Sequence, residues 1–281
     1  MAADSLIKRC LGAALLVVVL IGGLLLHPLC YALLFGFALA VMCGEWYRMS
    51  LGKGTHTLSR VLAICLAVAV FMLGFCVKYY KIGLWVFLLA FPLLIALFIS
   101  ILLDRQDRIE KLTAQDICFP LVYLLPSFMV SQLLMFDRQG QYTPYLFIAL
   151  ILLVWASDVG AYALGMAFGQ KAGSRKLSPQ ISPNKSWAGM AGSLLFCLAA
   201  AAGVYFVHSF GIGLWQWLVA ALMVSVFGIF GDLFESLLKR HFAVKDSGTI
   251  IIGHGGLLDR FDAALFAIPA VTVFFILLGI I

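Results

Sequence analysis

Long stretches without a charged side chain dominate this sequence and limit what it can fold into. The longest covers residues 186–231 and the next covers residues 10–44, and neither contains Asp, Glu, Lys or Arg. A transmembrane helix needs about 20 mostly apolar residues to cross a hydrocarbon core of about 30 Å. The uninterrupted runs also lack the alternation of membrane β-barrel strands. We therefore expect an all-α, polytopic integral membrane protein, in keeping with 64% hydrophobic residues, since soluble proteins average under half.

Proline and charged residues divide the runs into about nine spans. His27-Pro28 breaks the run of residues 10–44 into a helical hairpin, because the residue before proline avoids the helical region. No A-x-A-like cleavage site follows Lys8-Arg9, so the hairpin is expected to be uncleaved. The polar stretch 45–60 is expected to be a loop. The remaining spans are expected at residues 61–77, 82–103, 117–136, 144–168, two crossings within 186–240 that divide near residues 208–211, and 262–281.

We divide the chain into N-terminal helices at 1–140, with about five spans, and a C-terminal catalytic region at 141–281. The Lys and Arg residues predict its orientation. With a cytoplasmic N-terminus, sixteen of them fall in cytoplasmic loops and three on the opposite side, as the positive-inside rule requires. Orientation and anionic headgroups also account for the net charge of +6 without nucleic acid as a partner. We expect a multi-pass cell (inner) membrane protein whose polar loops in the second half face the cytoplasm.

The seven cysteines lie in or at the ends of apolar segments and form no C-x-x-C pair. They predict buried thiols, and neither a zinc site nor a disulfide framework.

Charge returns abruptly in residues 231–262, which hold five carboxylates and four Lys or Arg residues in a chain that is 11% charged. Asp232 and Glu235 share a helix face, and Lys239 continues it. An intramembrane carboxylate costs roughly 2.5–3.5 kcal/mol on insertion scales and should face a polar cavity with a partner. That partner is either a bound cation or a basic residue of a neighbouring helix in a structural ion pair.

Asp259 and Asp262 are again three residues apart, at the start of the last span. A helix N-terminus favours carboxylates, which accounts for one of them as a cap. Carboxylates from two helix ends can also hold Mg²⁺, which takes one or two of them and leaves positions for phosphate oxygens. Nearby cations would then neutralise the remaining phosphate charge.

Glycines and a histidine precede this last span. Gly253, Gly255 and Gly256 would let backbone N–H groups approach a phosphate closely, although Gly-Gly is also common in ordinary turns. His254 either binds a phosphate or caps the helix.

The polar segment 171–187 is a second candidate. Ser182 and Ser186 supply hydroxyl groups, and Lys185 places a cation at a helix N-terminus, where the dipole favours an anion. A basic loop that follows the positive-inside rule accounts for the same residues without a ligand. Asp158 is a further intramembrane acid and by default a functional candidate.

Three blocks of residues together resemble a known family. The main block comprises Ser236-Leu-Leu-Lys239-Arg240, Lys245-Asp246-Ser-Gly248 and His254-Gly255-Gly256-Leu-Leu-Asp259-Arg260-Phe-Asp262. It is similar to the signature of phosphatidate cytidylyltransferase, or CDP-diacylglycerol synthase. The upstream blocks are Ser157-Asp158-Val-Gly160-Ala161-Tyr162 and Ser182-Pro183-Asn-Lys185-Ser186-Trp187. Departures occur at Ile252, where the family usually has proline or a small residue, and at Ala188, where glutamate is frequent.

The resemblance implies cytidylyl transfer from CTP to phosphatidic acid at the membrane, with Mg²⁺, an optional second cation and a homodimer. It implies that Asp232 and Asp259 bind the metal, and that Asp246 and Asp262 support them or bind the second ion. The catalytic set is Asp232, Lys239, Arg240, Lys245, Asp246, Asp259 and Arg260. The substrate-binding set is Asp158, Ser182, Lys185, Ser186, His254, Gly255, Gly256 and Asp262.

Four other functions fit parts of the pattern. A CTP-dependent lipid kinase would transfer the γ-phosphate of CTP instead of the cytidylyl group. A cytidylyltransferase for another lipid phosphate would carry out the same transfer to a different acceptor. A secondary transporter would place its charges near the midplane and show paired halves, whereas here the charges gather towards one face without an internal repeat. A non-catalytic scaffold does not explain intramembrane Asp158 and Asp232.

Overall fold

The computed structural model describes residues 14–15, 17–52, 56–103, 112–171, 173–248, 250 and 255–281. This part of the chain is mainly helical. Eight of its helical segments are long and apolar enough to cross a membrane, and a shorter apolar helix, α1 (Val17–Leu26), precedes them. The prediction of an all-α polytopic membrane protein is therefore confirmed. Of the about nine spans expected, eight are found among the described residues.

The elements follow the apolar runs. The further helices are α2 (Pro28–Ser50), α3 (Thr57–Tyr79), α4 (Phe91–Leu103), α5 (Leu112–Tyr123), α6 (Leu125–Ser131), α7 (Tyr145–Phe168), α8 (Trp187–Val207), α9 (Leu214–His241) and α10 (Leu258–Leu277). Two 3₁₀ segments, Leu84–Ala90 and Gln132–Leu134, complete the spans that contain α4 and α6. Strands β1 (Lys176–Ser178) and β2 (Ser182–Ser186) form an antiparallel hairpin.

The chain divides into two compact units. The first unit comprises residues 1–132, 136–142 and 244–260, and the second comprises residues 133–135, 143–243 and 261–281.

In the first unit, the predicted break at His27-Pro28 is confirmed. Pro28 occupies the first turn of α2, where its missing N–H is not needed. The His27 Nδ1 atom accepts a hydrogen bond from the Leu29 N–H at 3.1 Å and so caps the helix. The core beside it is aromatic, with the Tyr31 ring centroid 4.8 Å from that of Phe35 and 6.1 Å from that of Phe71.

The predicted loop over residues 45–60 is wrong in extent, because α2 continues to Ser50 and α3 begins at Thr57. Two side chains of this stretch are hydrogen-bonded elsewhere in the unit. The indole N–H of Trp46 donates to the Asp116 carbonyl at 2.8 Å, and the Tyr47 hydroxyl donates to the Ile117 carbonyl at 2.7 Å. The end of α2 is thereby fixed against α5.

In the second unit, α7 and α8 approach so closely that their backbones are in contact. A Cβ atom on Gly160 would collide with the Gly192 carbonyl oxygen, and the reverse is also true. Small residues permit such close packing between membrane helices. Next to this crossing, the Ser193 hydroxyl lies 2.6 Å from that of Ser157 and 2.7 Å from that of Ser225. Hydrogen bonds therefore link α7, α8 and α9.

The ends of the later helices agree with the sequence in one place and differ in another. The break predicted near residues 208–211 is confirmed, since α8 ends at Val207 and α9 begins at Leu214. The last helix was expected from residue 262, but α10 begins at Leu258. Its first turn thus includes Asp259, in the position where a carboxylate stabilises the N-terminal end of the helix dipole.

Candidate active site

Asp232, on α9, forms an ion pair with the β1–β2 hairpin. Its Oδ2 atom lies 2.5 Å from the Lys185 Nζ atom, and the side chains are 42% and 20% exposed, respectively. The expectation that an acid in this span has a partner is met by a basic residue of a neighbouring element. Asp232 remains accessible enough for a ligand to reach its carboxylate.

Glu235 and Lys239 continue the polar face of α9 one turn further on. The Lys239 Nζ atom lies 2.6 Å from the Glu235 Oε2 atom, and Glu235 is fully buried. Arg240, which follows Lys239, is also bonded to the hairpin, because its Nε atom donates to the Ile181 carbonyl at 3.5 Å. The C-terminal turns of α9 are thus attached to the hairpin at two points.

Asp262 and Asp158 add two more acids to the second unit. The carboxylate of Asp262 is within electrostatic range of Asp232, Glu235 and Asp158. Its Oδ1 atom accepts a hydrogen bond from the Ala263 N–H at 2.7 Å. Two of these neighbouring acids are already paired with lysines, Asp232 with Lys185 and Glu235 with Lys239.

The hairpin places the two predicted serines differently. Ser182 begins β2 and is half-buried, whereas Ser186 is buried at its end. The Ser186 Oγ atom accepts a hydrogen bond from the Gly189 N–H at 3.2 Å and caps α8. Ser182 is therefore the more accessible of the two hydroxyl groups.

The second unit also contains an apolar cavity of about 380 Å³. Its lining comes from the hairpin turn, α9 and α10: Ile181, Phe227, Phe230, Leu233, Phe234, Leu237 and Phe266. The α9 residues of this lining recur every three to four positions, on a different face of the helix from Asp232, Glu235 and Lys239.

The first unit holds the other predicted residues. The Asp259 Oδ2 atom accepts hydrogen bonds from the Ser247 N–H at 3.0 Å and from the Gly256 N–H at 2.8 Å. These bonds place the carboxylate at the start of α10. Lys245, Asp246 and Arg260 are exposed.

The glycines before α10 have identifiable local roles. The N–H of Gly256 is directed at Asp259, and a Cβ atom on Gly256 would collide with Ser247. Gly255 has a φ of +82°, a left-handed conformation that favours glycine. Gly253 and His254 lie outside the described residues.

Glu45 is a polar residue of this region that sequence reasoning missed. It is 1% exposed, and its carboxylate accepts hydrogen bonds from the N–H groups of Leu257 and Leu258 at 2.9 and 2.8 Å. A usable signal was present, because Glu45 is an isolated acid at the end of an apolar run of helical length. Its polarity was instead taken to mark a loop.

The predicted metal ligands belong to different units, Asp232 to the second and Asp259 to the first. Among the described residues, no group of three or more His, Cys, Asp or Glu side chains is arranged to hold a metal ion. The carboxylate oxygens of Asp232 and Asp259 nevertheless suit Mg²⁺, a hard cation that commonly binds one or two carboxylates together with substrate phosphates. The donor chemistry therefore fits a metal that binds with its substrate.

Comparison with known proteins gives consistent matches. The family model of the cytidylyltransferase family matches residues 7–278. A Staphylococcus saprophyticus protein named phosphatidate cytidylyltransferase is 36% identical over 197 residues, which cover 69% of this chain and 72% of the relative. A Bacillus subtilis protein of the same name is 47% identical over 125 residues, covering 44% of this chain and 45% of the relative.

Proposed function

Because the chain belongs to the cytidylyltransferase family, we propose that it transfers a cytidylyl group from CTP to phosphatidic acid. The products are CDP-diacylglycerol, a precursor for phospholipid synthesis, and pyrophosphate. The match along nearly the whole chain to this family carries the proposal. The polar group around the Lys185–Asp232 ion pair supports it, because a membrane protein rarely retains so many intramembrane charges without a function.

The reaction requires little proton transfer by the protein. The nucleophile is the phosphate of phosphatidic acid, and a phosphate monoester is mostly doubly ionised near pH 7, since its second pKa is about 6. A strong general base is therefore unnecessary. Both reactants are anions, so their mutual repulsion is the main obstacle. Fixed cations would lower this repulsion electrostatically and would hold the two phosphates in line for the displacement.

The basic residues divide between two phosphate groups. We assign Lys239, Arg240, Lys245 and Arg260 to the phosphates of CTP, where arginine suits bidentate contacts. Lys185, with the hydroxyl groups of Ser182 and Ser186, would hold the lipid phosphate or the nucleotide. An acyl chain could lie in the apolar cavity lined by the hairpin turn, α9 and α10.

Asp232 and Asp259 would hold Mg²⁺, with Asp246 and Asp262 as supporting carboxylates or as ligands of a second cation. The spacing of the signature supports this pairing, and the carboxylate chemistry is compatible with it. When bound, Mg²⁺ would screen the charge between the phosphates and stabilise the departing pyrophosphate. The ion pair and backbone hydrogen bonds already hold the two carboxylates in place.

We further propose that the site faces the cytoplasm and that the protein is a homodimer in the cell membrane. The distribution of Lys and Arg supports the orientation, and the family resemblance supports the dimer. In sealed right-side-out vesicles, added CTP should be consumed only after permeabilisation. The protein mass in detergent should be twice the 30.7 kDa of one chain.

The activity is tested with the purified protein in detergent, CTP, phosphatidic acid and Mg²⁺. We expect CDP-lipid and pyrophosphate in equal amounts. Diacylglycerol, which lacks the nucleophilic phosphate, should give neither product and serves as the matched control substrate. Formation of CDP together with a newly phosphorylated lipid would show a lipid kinase instead.

A further inference from the structure

Glu45 is a buried carboxylate within a membrane-spanning helix, so its partners should reveal its role. It lies on α2 and is 1% exposed. A buried carboxylate is tolerated only where hydrogen bonds or charges compensate for its lost hydration. Trp46 and Tyr47, its neighbours, are hydrogen-bonded to α5. These two bonds fix the end of α2 and with it the position of Glu45.

Its partners lie more than 200 residues later in the chain. The Oε1 atom accepts the Leu257 N–H at 2.9 Å, and the Oε2 atom accepts the Leu258 N–H at 2.8 Å. These are N–H groups at the start of α10, where no intrahelical acceptor exists. Leucine cannot cap a helix with its side chain, so Glu45 supplies the cap from another helix. Its negative charge is favourable at that end of the dipole.

The segment around Ser247 is held by the same carboxylate. The Ser247 hydroxyl donates to Glu45 Oε2 at 3.2 Å. A Cβ atom on Gly248 would collide with the Glu45 carboxylate, and one on Gly256 would come within 2.6 Å of its Oε2 atom. The Glu45 carboxylate therefore fits only because both positions are glycine. A larger residue at either position would displace this carboxylate.

These segments in turn hold Asp259. Its carboxylate accepts N–H groups from Ser247 and Gly256. Ser247 thus bonds Glu45 through its hydroxyl and Asp259 through its backbone. These two N–H groups lie in segments that Glu45 contacts.

We infer that Glu45 is a positioning residue for the transfer reaction. It fixes the segments 247–248 and 256–258, and through them it orients Asp259. The inference rests on the proposed function for the role of Asp259, whereas the anchoring of the two segments rests on the contacts of Glu45 alone.

The test compares Glu45→Gln with the wild type by hydrogen exchange and by steady-state kinetics. Glutamine has nearly the same shape but only one acceptor oxygen and no charge. The Leu257 and Leu258 amides should exchange about tenfold faster or more, because hydrogen bonds to charged groups are the stronger ones. The kcat/KM for CTP should fall about 10- to 100-fold, as for other residues that orient metal ligands. The Mg²⁺ concentration for half-maximal rate should rise.

Gln132→Leu is the matched control for lost stability. Gln132 is also buried in the first unit, and its Nε2 atom donates to the Phe71 carbonyl at 2.7 Å. This variant should melt at a lower temperature but retain the wild-type kcat/KM and Mg²⁺ dependence per folded molecule. Ser247→Ala removes a single bond to Glu45, so it should lower kcat/KM about fivefold. It provides the test if Glu45→Gln does not fold.

The outcomes separate the inference from the proposed function. Unchanged exchange at Leu257 and Leu258 would overturn the anchoring by Glu45. Faster exchange with unchanged kcat/KM and Mg²⁺ dependence would overturn the positioning role, leaving Glu45 as a structural cap. A wild-type protein without cytidylyl transfer would refute the proposed function, and the positioning role with it, while the exchange data would still decide the anchoring.

Discussion

Asp259→Asn separates a metal ligand from a structural cap better than any other single change. The carboxylate accepts N–H groups from Ser247 and Gly256 at 3.0 and 2.8 Å. Asparagine keeps one oxygen in nearly the same place, so it can still accept these bonds. What it loses is the negative charge and the second oxygen, which a structural cap can largely do without and a Mg²⁺ ligand cannot.

The loss of stability should be modest. A hydrogen bond to a charged group contributes about 1.5–3 kcal/mol and a neutral one about 1 kcal/mol. For two weakened bonds, Asp259→Asn should destabilise the first unit by roughly 1–4 kcal/mol and lower the melting temperature by several degrees. The catalytic loss should be larger. Changing a residue that merely supports a metal ligand typically costs 10- to 100-fold, so removal of a ligand should lower kcat/KM at least about 100-fold, or roughly 2.7 kcal/mol.

Asp137→Asn is the matched control. Asp137 Oδ1 also accepts two backbone N–H groups, those of Gln139 and Gln141 at 2.9 and 2.8 Å, but it lies in an exposed turn. Both variants are assayed in detergent for turnover against Mg²⁺ concentration and for thermal unfolding. Asp137→Asn should keep wild-type turnover. Full Mg²⁺-dependent activity in folded Asp259→Asn protein would refute the metal assignment.

Three further results are expected. In α8, Gly192→Ala should destabilise the protein by about 1–3 kcal/mol through collision with Gly160. Gly203→Ala, which meets nothing within 4 Å, should be neutral or stabilising, so equal melting temperatures would contradict the close crossing. A double-mutant cycle of Lys185→Gln and Asp232→Asn should give a coupling free energy of about 0.2–1 kcal/mol in the stability of the protein. The value is small because the pair is partly exposed. A coupling of zero would contradict the ion pair. EDTA should abolish turnover while leaving the melting temperature without CTP unchanged, since both proposed metal ligands have internal partners; a large drop would indicate a structural metal.

The sequence predicted the helices well because length and hydropathy determine them locally. His27-Pro28 marks a helix boundary by covalent geometry alone, and the structure places the start of α2 there. The break between α8 and α9 follows from a glycine-containing segment within an uncharged run.

Predictions that depended on the partner of a polar residue were less successful. Glu45 was placed in a loop because carboxylates avoid apolar helices, but its partners at residues 247, 257 and 258 give it a buried site. Pairing over 200 residues leaves no periodic signal in one sequence. The start of α10 was placed four residues late, although the sequence had already indicated Asp259 as a carboxylate at the N-terminus of this helix.

The candidate site was predictable in its residue types and only partly in its contacts. Helical periodicity predicted that Asp232, Glu235 and Lys239 share one face of a helix. The ion pair between Glu235 and Lys239 confirms this for two of the three residues. The partner of Asp232 could not be derived in this way. Lys185 lies on a hairpin whose short strands, Lys176–Ser178 and Ser182–Ser186, have no alternating apolar pattern.

The position of the transferred phosphorus tests the central claim most directly. Two parallel reactions supply CTP labelled at the α-phosphate or at the γ-phosphate, with phosphatidic acid and Mg²⁺, and the lipid fraction is then counted. Cytidylyl transfer predicts that the α label enters the lipid in proportion to the pyrophosphate released, and that the γ label stays in the aqueous phase. Label from the γ-phosphate in the lipid, or no label from either substrate, would contradict the account.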